Sequence, residues 1–222
     1  MLDLLQPNKK MSRKAGIIGY GELGKQIHDF LSVSDSNYDF YFFDDEHLKT
    51  KGKHALPFND FKKQDFRDFD FFIGLGYKHL SIKPEIINEL LRLKRNLPSF
   101  IHPSCFFNSS AKIGPGTVIY PMCNIDKGVK IGNGVLLNNT VTLSHDTVIG
   151  DACFLSPGVT ASGNVSIGEG AFIGAGSVIS NGINIGKNVQ IGIGSVVNSN
   201  IPDNCSAIGN PLRLLGKRIN IL

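Results

Sequence analysis

The sequence predicts a mixed fold in two parts, a small α/β domain followed by a left-handed parallel β-helix, and two observations carry the prediction. From Ile113 onward an aliphatic residue recurs every six positions: Ile113, Ile119, Ile125, Ile131, Leu137, Leu143, Ile149, Leu155, Ala161, Ile167, Ile173, Ile179, Ile185, Ile191 and Val197, with Ala161 the one exception to Ile, Leu or Val. Before this stretch, residues 15–100 follow a different grammar, in which short apolar runs alternate with helix-like segments.

A period of six fits neither a helix, which repeats every 3.6 residues, nor a half-buried strand, which repeats every two. It fits a coil with three short flat faces, one hexad to a face and 18 residues to a turn, the aliphatic side chain pointing to the axis. A small or β-branched residue stands four places after the aliphatic one, as at Thr117, Val129, Val135, Val159 and Ser177. Glycine often follows it directly, as in IGPGTV, IGNGVL and IGEGAF, where it would permit the corner. Fifteen hexads make about five coils, stacked at the usual strand spacing of about 4.8 Å.

In the first part, AGIIG reads as a strand, GYGELG as a turn, KQIHDFLSV as a helix and FYFFDD as a second strand, followed by the apolar run FDFFIGLG and a helix from about Pro84 to Arg95. Strands alternating with helices imply a small parallel sheet. The expected organisation is an N-terminal extension at 1–14, an α/β domain at 15–100, and a β-helix with a C-terminal tail at 101–222, with Leu97 to Ser110 carrying the chain from one fold to the other. Met11 reads as the functional start, since the first strand is expected only after Lys14.

Composition narrows the function classes. With 222 residues, 41% hydrophobic and 19% charged, 25 glycines and no Trp, the chain reads as a folded protein rich in tight turns. A net charge of +4 without a block of like charges argues against a nucleic-acid partner. No apolar run is long enough for a signal peptide or a membrane span, so the expected location is cytoplasmic, without membrane insertion. Cys105, Cys123, Cys153 and Cys205 show no CxxC spacing and read as reduced core residues.

Two places carry chemistry. Gly19-Tyr20-Gly21-Glu22-Leu23-Gly24 is a GxGxxG after a strand and opening a helix, with Asp44 at the end of the next strand. Such a loop brings backbone N–H groups to a phosphate at a helix N-terminus, with the acid placed for a ribose or base. About 85 residues make only half of a dinucleotide domain, which favours a mononucleotide or nucleotide-sugar over NAD. Gly74 and Gly76, after the third apolar strand, would edge the same crevice. The alternative is that these glycines only allow tight strand-to-helix turns.

The second place is His145, the one histidine inside the hexad region, flanked by Ser144 and Asp146. It is either a polar corner residue or a general base. Asp146 could orient the imidazole, and Gly163, one coil later, stacks above His145 so that its N–H could stabilise the oxyanion of an acyl transfer. A lone histidine cannot build a catalytic zinc site, which needs three ligands, so no metal is expected. Ser144 is the weaker choice for a covalent nucleophile, because direct attack by the acceptor needs only the base.

Over residues 15 to about 218 the chain resembles the bacterial sugar O/N-acyltransferases of the PglD/NeuD group, in which a short Rossmann-like domain precedes a left-handed β-helix. The motifs that carry the resemblance are IIGYGELG, the FFDD strand end, IHPS, SHDTVIGD, SGNVSIGEGAFIGAGSVI and the closing IGNPLR. The resemblance implies acetyl-CoA as acyl donor and the 4-amino group of a nucleotide-linked 4-amino-4,6-dideoxy sugar as acceptor, in surface glycan synthesis. By the same resemblance Gly19, Gly21 and Gly24 hold the nucleotide and its phosphates, Asp44 with Asp45 the base or ribose, and His145 takes the proton as the amine attacks the thioester. It further implies a homotrimer with active sites between subunits and CoA along the groove at Gly163, Gly174, Ala175, Gly192, Ile193 and Pro211, with Arg213 and Lys217 as candidates for its phosphates. Many relatives carry a second histidine nine residues after the first, where this chain has Phe154, so no polar contact is carried over to that position. O-acetylation of a sugar of the sialic acid type is the enzymatic alternative, and a non-catalytic nucleotide-binding β-helix scaffold the alternative outside enzymes.

Overall fold

The computed structural model describes residues 12–34 and 37–217. The expected extension at 1–14 falls largely outside the described residues, as does Met11. The chain divides into two compact units, Met1–Gly74 with Lys94–Asn96, and Leu75–Leu93 with Leu97–Leu222.

The first unit contains β1 (Arg13–Ile18), α1 (Glu22–Ser34), β2 (Tyr38–Phe43), α2 (Asp45–Lys49), β3 (Ala55–Leu56) and β4 (Asp70–Ile73). The strand runs appear where the apolar segments lie, although β1 begins at Arg13, earlier than its apolar run. The short α2 and β3 have too few periodic residues to stand out in the sequence. All strands pair in parallel, in the order β3-β2-β1-β4. The strand order therefore reverses at β1, and in open parallel sheets the crevice at such a reversal, beyond the carboxyl ends of the strands, is where ligands bind. Helix α1 buries Gly24, Ile27 and Leu31, one stripe at helical spacing. The buried Asp70 ties β1, β2 and the returning segment together: it accepts hydrogen bonds from Arg13, from the Asn96 amide and, at 2.7 Å, from the Tyr38 hydroxyl.

In the second unit the chain winds into a left-handed β-helix whose faces are sheets of five, eight and six strands. Each hexad contributes a two-residue strand ending on the aliphatic position, and the 18-residue register is direct: Lys130 pairs with Val148, Leu136 with Phe154 and Thr142 with Thr160. The aliphatic row and the small-residue row four places later are both buried and form one core, which includes Cys123 and Cys153. Two rungs precede the first hexad at Ile113, Phe100–Ile101 and Phe106–Phe107, so the segment 97–110 already belongs largely to the coil and the six-stranded face counts six turns. The last turn is tighter, pairing Gln190 with Ser206 and Ile185 with Ile201, and it closes on an antiparallel strand, Arg213–Lys217.

The corners follow a second period that the glycine pattern only half reveals. The third residue after each aliphatic position is left-handed at every corner from Gly116 to Gly194, including the non-glycines Met122, Thr140, Asp146, Ala152, Asn164 and Asn188. The glycines directly after the aliphatic residue have a different cause. A Cβ on Gly132, Gly150, Gly168 or Gly174 would stand 2.3–2.6 Å from atoms of the next coil, so these positions are empty because stacked corners approach closely.

On the eight-stranded face even the outward row is buried, through Phe100, Val118, Leu136, Phe154, Phe172 and Gln190, whereas Lys112, Lys130, Val148, Asn124 and Val178 on the other two faces are exposed. Part of the cover is the segment 75–93, which holds α3 (Lys83–Arg92). Tyr77 sets its ring against Phe154 and Phe172, at centroid distances of 6.0 and 5.9 Å. Lys83 opens α3 with 2% exposure, beside Cys153, whose thiol burial pushes up to about 12.

Burial likewise pushes the Lys83 ammonium down to about 8 from its ordinary 10.5. Between those values the unfolded chain holds a proton that the folded chain does not, so this group makes stability rise with pH across that window. Lys83→Met should therefore stabilise the protein at pH 7 by about 3 kcal/mol. The advantage should shrink as pH climbs from 8 toward 10.5, as read by urea denaturation of variant and wild type side by side.

Candidate active site

Within the α/β unit, three of the four glycines expected to hold a nucleotide come together for a packing reason. Gly19 turns out of β1 with φ 85°, and a Cβ on Gly24 or on Gly74 would each stand 2.2 Å from its carbonyl oxygen. The first turn of α1 thus presses directly onto the ends of β1 and β4. Gly21 is different: a Cβ there meets nothing within 4 Å, and its carbonyl accepts the Lys25 N–H at 3.0 Å as α1 begins. The first N–H groups of a helix lack intrahelical partners, and here they open beside Gly21 at the sheet's reversal point. Glu22 stands in that first turn, bonded by Lys25 at 2.7 Å.

Asp44 has a task of its own in the fold. Its Oδ1 accepts the His47 N–H at 2.8 Å as N-cap of α2, and its Oδ2 accepts the Tyr20 N–H at 2.7 Å, which fixes the glycine loop to the end of β2. Asp45 is exposed and accepts the Phe58 N–H at 2.9 Å. Gly76 belongs to the other unit, at the start of the segment leading to α3, with open space around it.

In the β-helix, His145 and Asp146 occupy the corner between the six- and five-stranded faces, both exposed. Asp146 is the left-handed residue of its corner, with φ 59°, a conformation that Asp tolerates better than most side chains. This geometry lets Oδ2 accept from His145 Nδ1 at 3.1 Å. With Nδ1 carrying the proton toward the carboxylate, Nε2 is left as the acceptor. Backbone bonds hold the corner, Asp146 N–H to Lys127 and Asn164 N–H to His145, both 2.9 Å.

Two glycines make room for this pair. A Cβ on Gly163, one coil further, would stand 2.4 Å from His145 Nε2, and a Cβ on Gly128, one coil earlier, 2.4 Å from Asp146 Oδ1. Gly163 is buried beneath the imidazole, and its N–H takes part in no backbone hydrogen bond among the described residues. Gly128 and Asn181, whose Oδ1 would lie 2.9 Å from the same Gly163 Cβ, escaped the sequence reading. Adding and subtracting 18 from His145 and Asp146 finds both columns.

The remaining candidates lie elsewhere on the coil. Gly174 and Gly192 stack on one another where the eight-stranded face ends, with Ala175 and the 70%-exposed Ile193 beside them at the corner toward the six-stranded face. Pro211 follows the last rung through a cis peptide bond after Asn210. Phe154 faces outward on the eight-stranded face, stacked on Phe172 at 5.6 Å, in the aromatic cover described above. Among the described residues no three His, Cys, Asp or Glu side chains gather as metal ligands, and no helix is long and apolar enough to cross a membrane.

Residues 146–181 match the family model described as bacterial transferase hexapeptide (six repeats). The likeness to solved structures runs over nearly the whole chain. The acetyltransferase domain of PglB from Neisseria gonorrhoeae is 29% identical, with a TM-score of 0.83 over 92% of this chain and 100% of that one; it has also been solved in complex with acetyl coenzyme A. PerB from Caulobacter crescentus, in complex with CoA and GDP-perosamine, is 25% identical with a TM-score of 0.80, covering 93% of this chain and 98% of that one. No curated protein matches the sequence.

The glycine geometry separates packing from binding. Gly24→Ala and Gly74→Ala should each destabilise the protein by roughly 3 kcal/mol, the upper end of overpacking costs. Gly21→Ala and Gly76→Ala should stay within about 0.5 kcal/mol of wild type, as substitutions in open space do. Thermal denaturation of the four variants reads the difference.

Proposed function

We propose that the chain is a cytoplasmic, acetyl-CoA-dependent N-acetyltransferase acting on the 4-amino group of a nucleotide-linked 4-amino-4,6-dideoxy sugar for surface glycan synthesis. The observation that carries the reading is the His145–Asp146 pair over Gly163, set in a fold shared at near full length with an acetyltransferase that binds acetyl-CoA and with PerB bound to CoA and GDP-perosamine.

In this reading the sugar amine attacks the thioester carbon while Nε2 of His145 takes its proton, which keeps the cationic intermediate from collapsing backward. Asp146 holds the imidazole in the tautomer that leaves Nε2 free, and the Gly163 N–H receives the developing oxyanion. Gly21 with Asp45 holds the nucleotide-sugar, while Gly19, Gly24 and Gly74 let the glycine loop pack closely enough against the strand ends to present it. For Asp44 we assign an indirect part, since both its oxygens already hold backbone N–H groups: it fixes the loop that binds the phosphates.

CoA lies along Gly163, Gly174, Ala175, Gly192, Ile193 and Pro211. His145 sits at one corner of the coil, whereas Ala175 and Ile193 sit at another. One copy cannot turn both corners toward a single thioester, and this supports a homotrimer in which the base of one subunit faces the CoA corner of its neighbour. O-acetylation uses the same scaffold and base, so the choice of amine over hydroxyl rests on the likeness to PerB.

Thiol release should be followed with acetyl-CoA and a panel of UDP-, dTDP- and GDP-linked 4-amino sugars, GDP-perosamine among them, plus sialic acid. Turnover is expected with an amino sugar. Silence with every acceptor would falsify the enzyme reading in favour of a binding scaffold, and release with sialic acid alone would turn it to O-transfer. His145→Ala should lower kcat by about 10²–10⁴. Gly163→Ala should also lower kcat at least tenfold, because its methyl group displaces the imidazole.

A further inference from the structure

The proposed base leaves a neighbouring side chain without a part. Asn181 stands two coils beyond Lys127's successor His145, in the column Lys127, His145, Gly163, Asn181, and its side chain is exposed. Its Oδ1 and the Nε2 of His145 lie 2.9 Å and 2.4 Å from a single point, where a Cβ on Gly163 would be. The two atoms make no hydrogen bond with each other, and the Asn181 side chain makes none among the described residues. Two acceptors thus face one another across an opening that glycine keeps vacant. Both atoms lie close to that point, so one nitrogen placed just outward of Gly163 can reach the two of them.

A primary amine carries two N–H bonds and one lone pair. When the lone pair points at the thioester carbon, both N–H bonds point away and each needs an acceptor. A hydroxyl carries one O–H bond and needs one. We propose that Asn181 is a specificity-determining residue that accepts the second N–H of the attacking amine through Oδ1, so that the site selects an amine over a hydroxyl. The inference rests on the acyl-transfer reading given above and deepens it.

The step balances on that assignment. The amine nitrogen bonds to the thioester carbon, and one amine proton passes to His145 Nε2. The carbon–sulfur bond then breaks, the imidazolium returns the proton to the departing thiolate, and the amide product keeps the second N–H, the one held by Asn181. Rotation of the amine about its C–N bond, which a single acceptor would allow, is thereby stopped with the lone pair aimed at the thioester.

The test is steady-state kinetics of wild type, Asn181→Ala and Asn181→Asp, with acetyl-CoA and two acceptors: GDP-perosamine, or whichever amino sugar of the panel turns over fastest, and its 4-hydroxy counterpart. Asn181→Ala should lower kcat/KM for the amine about tenfold, the loss expected for one hydrogen bond made to the reacting group, and leave the hydroxyl rate and the KM for acetyl-CoA unchanged. Asn181→Asp keeps an acceptor oxygen and should retain the preference for amine. An equal loss on both acceptors, or a raised KM for acetyl-CoA, overturns the assignment and places Asn181 on the donor side. If wild type turns over an amine and Asn181→Ala does so equally well, this inference alone fails. If wild type turns over no amine, the acyl-transfer reading fails and takes this one with it. A melting temperature within a degree or two of wild type for both variants shows that folding is not what changed.

Discussion

Everything in the larger unit hangs on the backbone hydrogen bonds that join each coil to the next. Phe100 N–H reaches Thr117, Lys130 reaches Thr147, Thr142 reaches Val159, and the bonds continue at 2.8–3.0 Å to Gly192 and Ala207. A coil of three two-residue strands has almost no hydrogen bonding of its own, so it exists only while its neighbours satisfy its polar backbone. The side chains are then sorted by that lattice. Inward positions fill a continuous aliphatic column, and corner positions must be left-handed or nearly without side chain, because the next corner lies within touching distance.

The site uses the same constraint. His145 and Asp146 are adjacent residues on a corner where the backbone is fixed above and below, so their 3.1 Å contact needs no distant loop to support it. What it does need is space. Gly163 clears the imidazole on one side and Gly128 clears the carboxylate on the other, and each is the residue that an 18-residue step from the pair reaches. The glycines of the α/β unit serve two purposes that composition cannot tell apart: Gly24 and Gly74 are small because a backbone carbonyl is in the way, whereas Gly21 stands open.

The sequence made the β-helix legible because its signal repeats, so that Ala161 in one slot does not hide the other fourteen. The aliphatic period itself shows only from Ile113, because Phe107 fills an inward slot with an aromatic ring and Pro103 interrupts the approach. The tighter last turn was missed because it breaks the period of 18. In the α/β unit the strands were visible as apolar runs, but α2 and β3 are too short to show a period. His145 was found by its isolation. Gly128 and Asn181 belong to no motif in the sequence and become visible only once residues one and two coils apart are known to share a column. The burial of Phe154 depends on a segment, 75–93, that is distant in the chain, and no local pattern announces such a partner.

The corner column also makes the solenoid a measuring device. Adding or removing one whole coil would preserve every inward row and every left-handed corner, so the fold by itself does not care where along its axis a polar residue sits. Distances along that axis come only in steps of about 4.8 Å. The pair at His145 and Asp146 and the open corner at Ile193 therefore stand a whole number of graduations apart, plus the fraction that the turn of the corner adds. Such a chain could adjust the reach between two groups only by whole coils, and finer adjustment falls to the side chains, as where Asn181 leans back over Gly163.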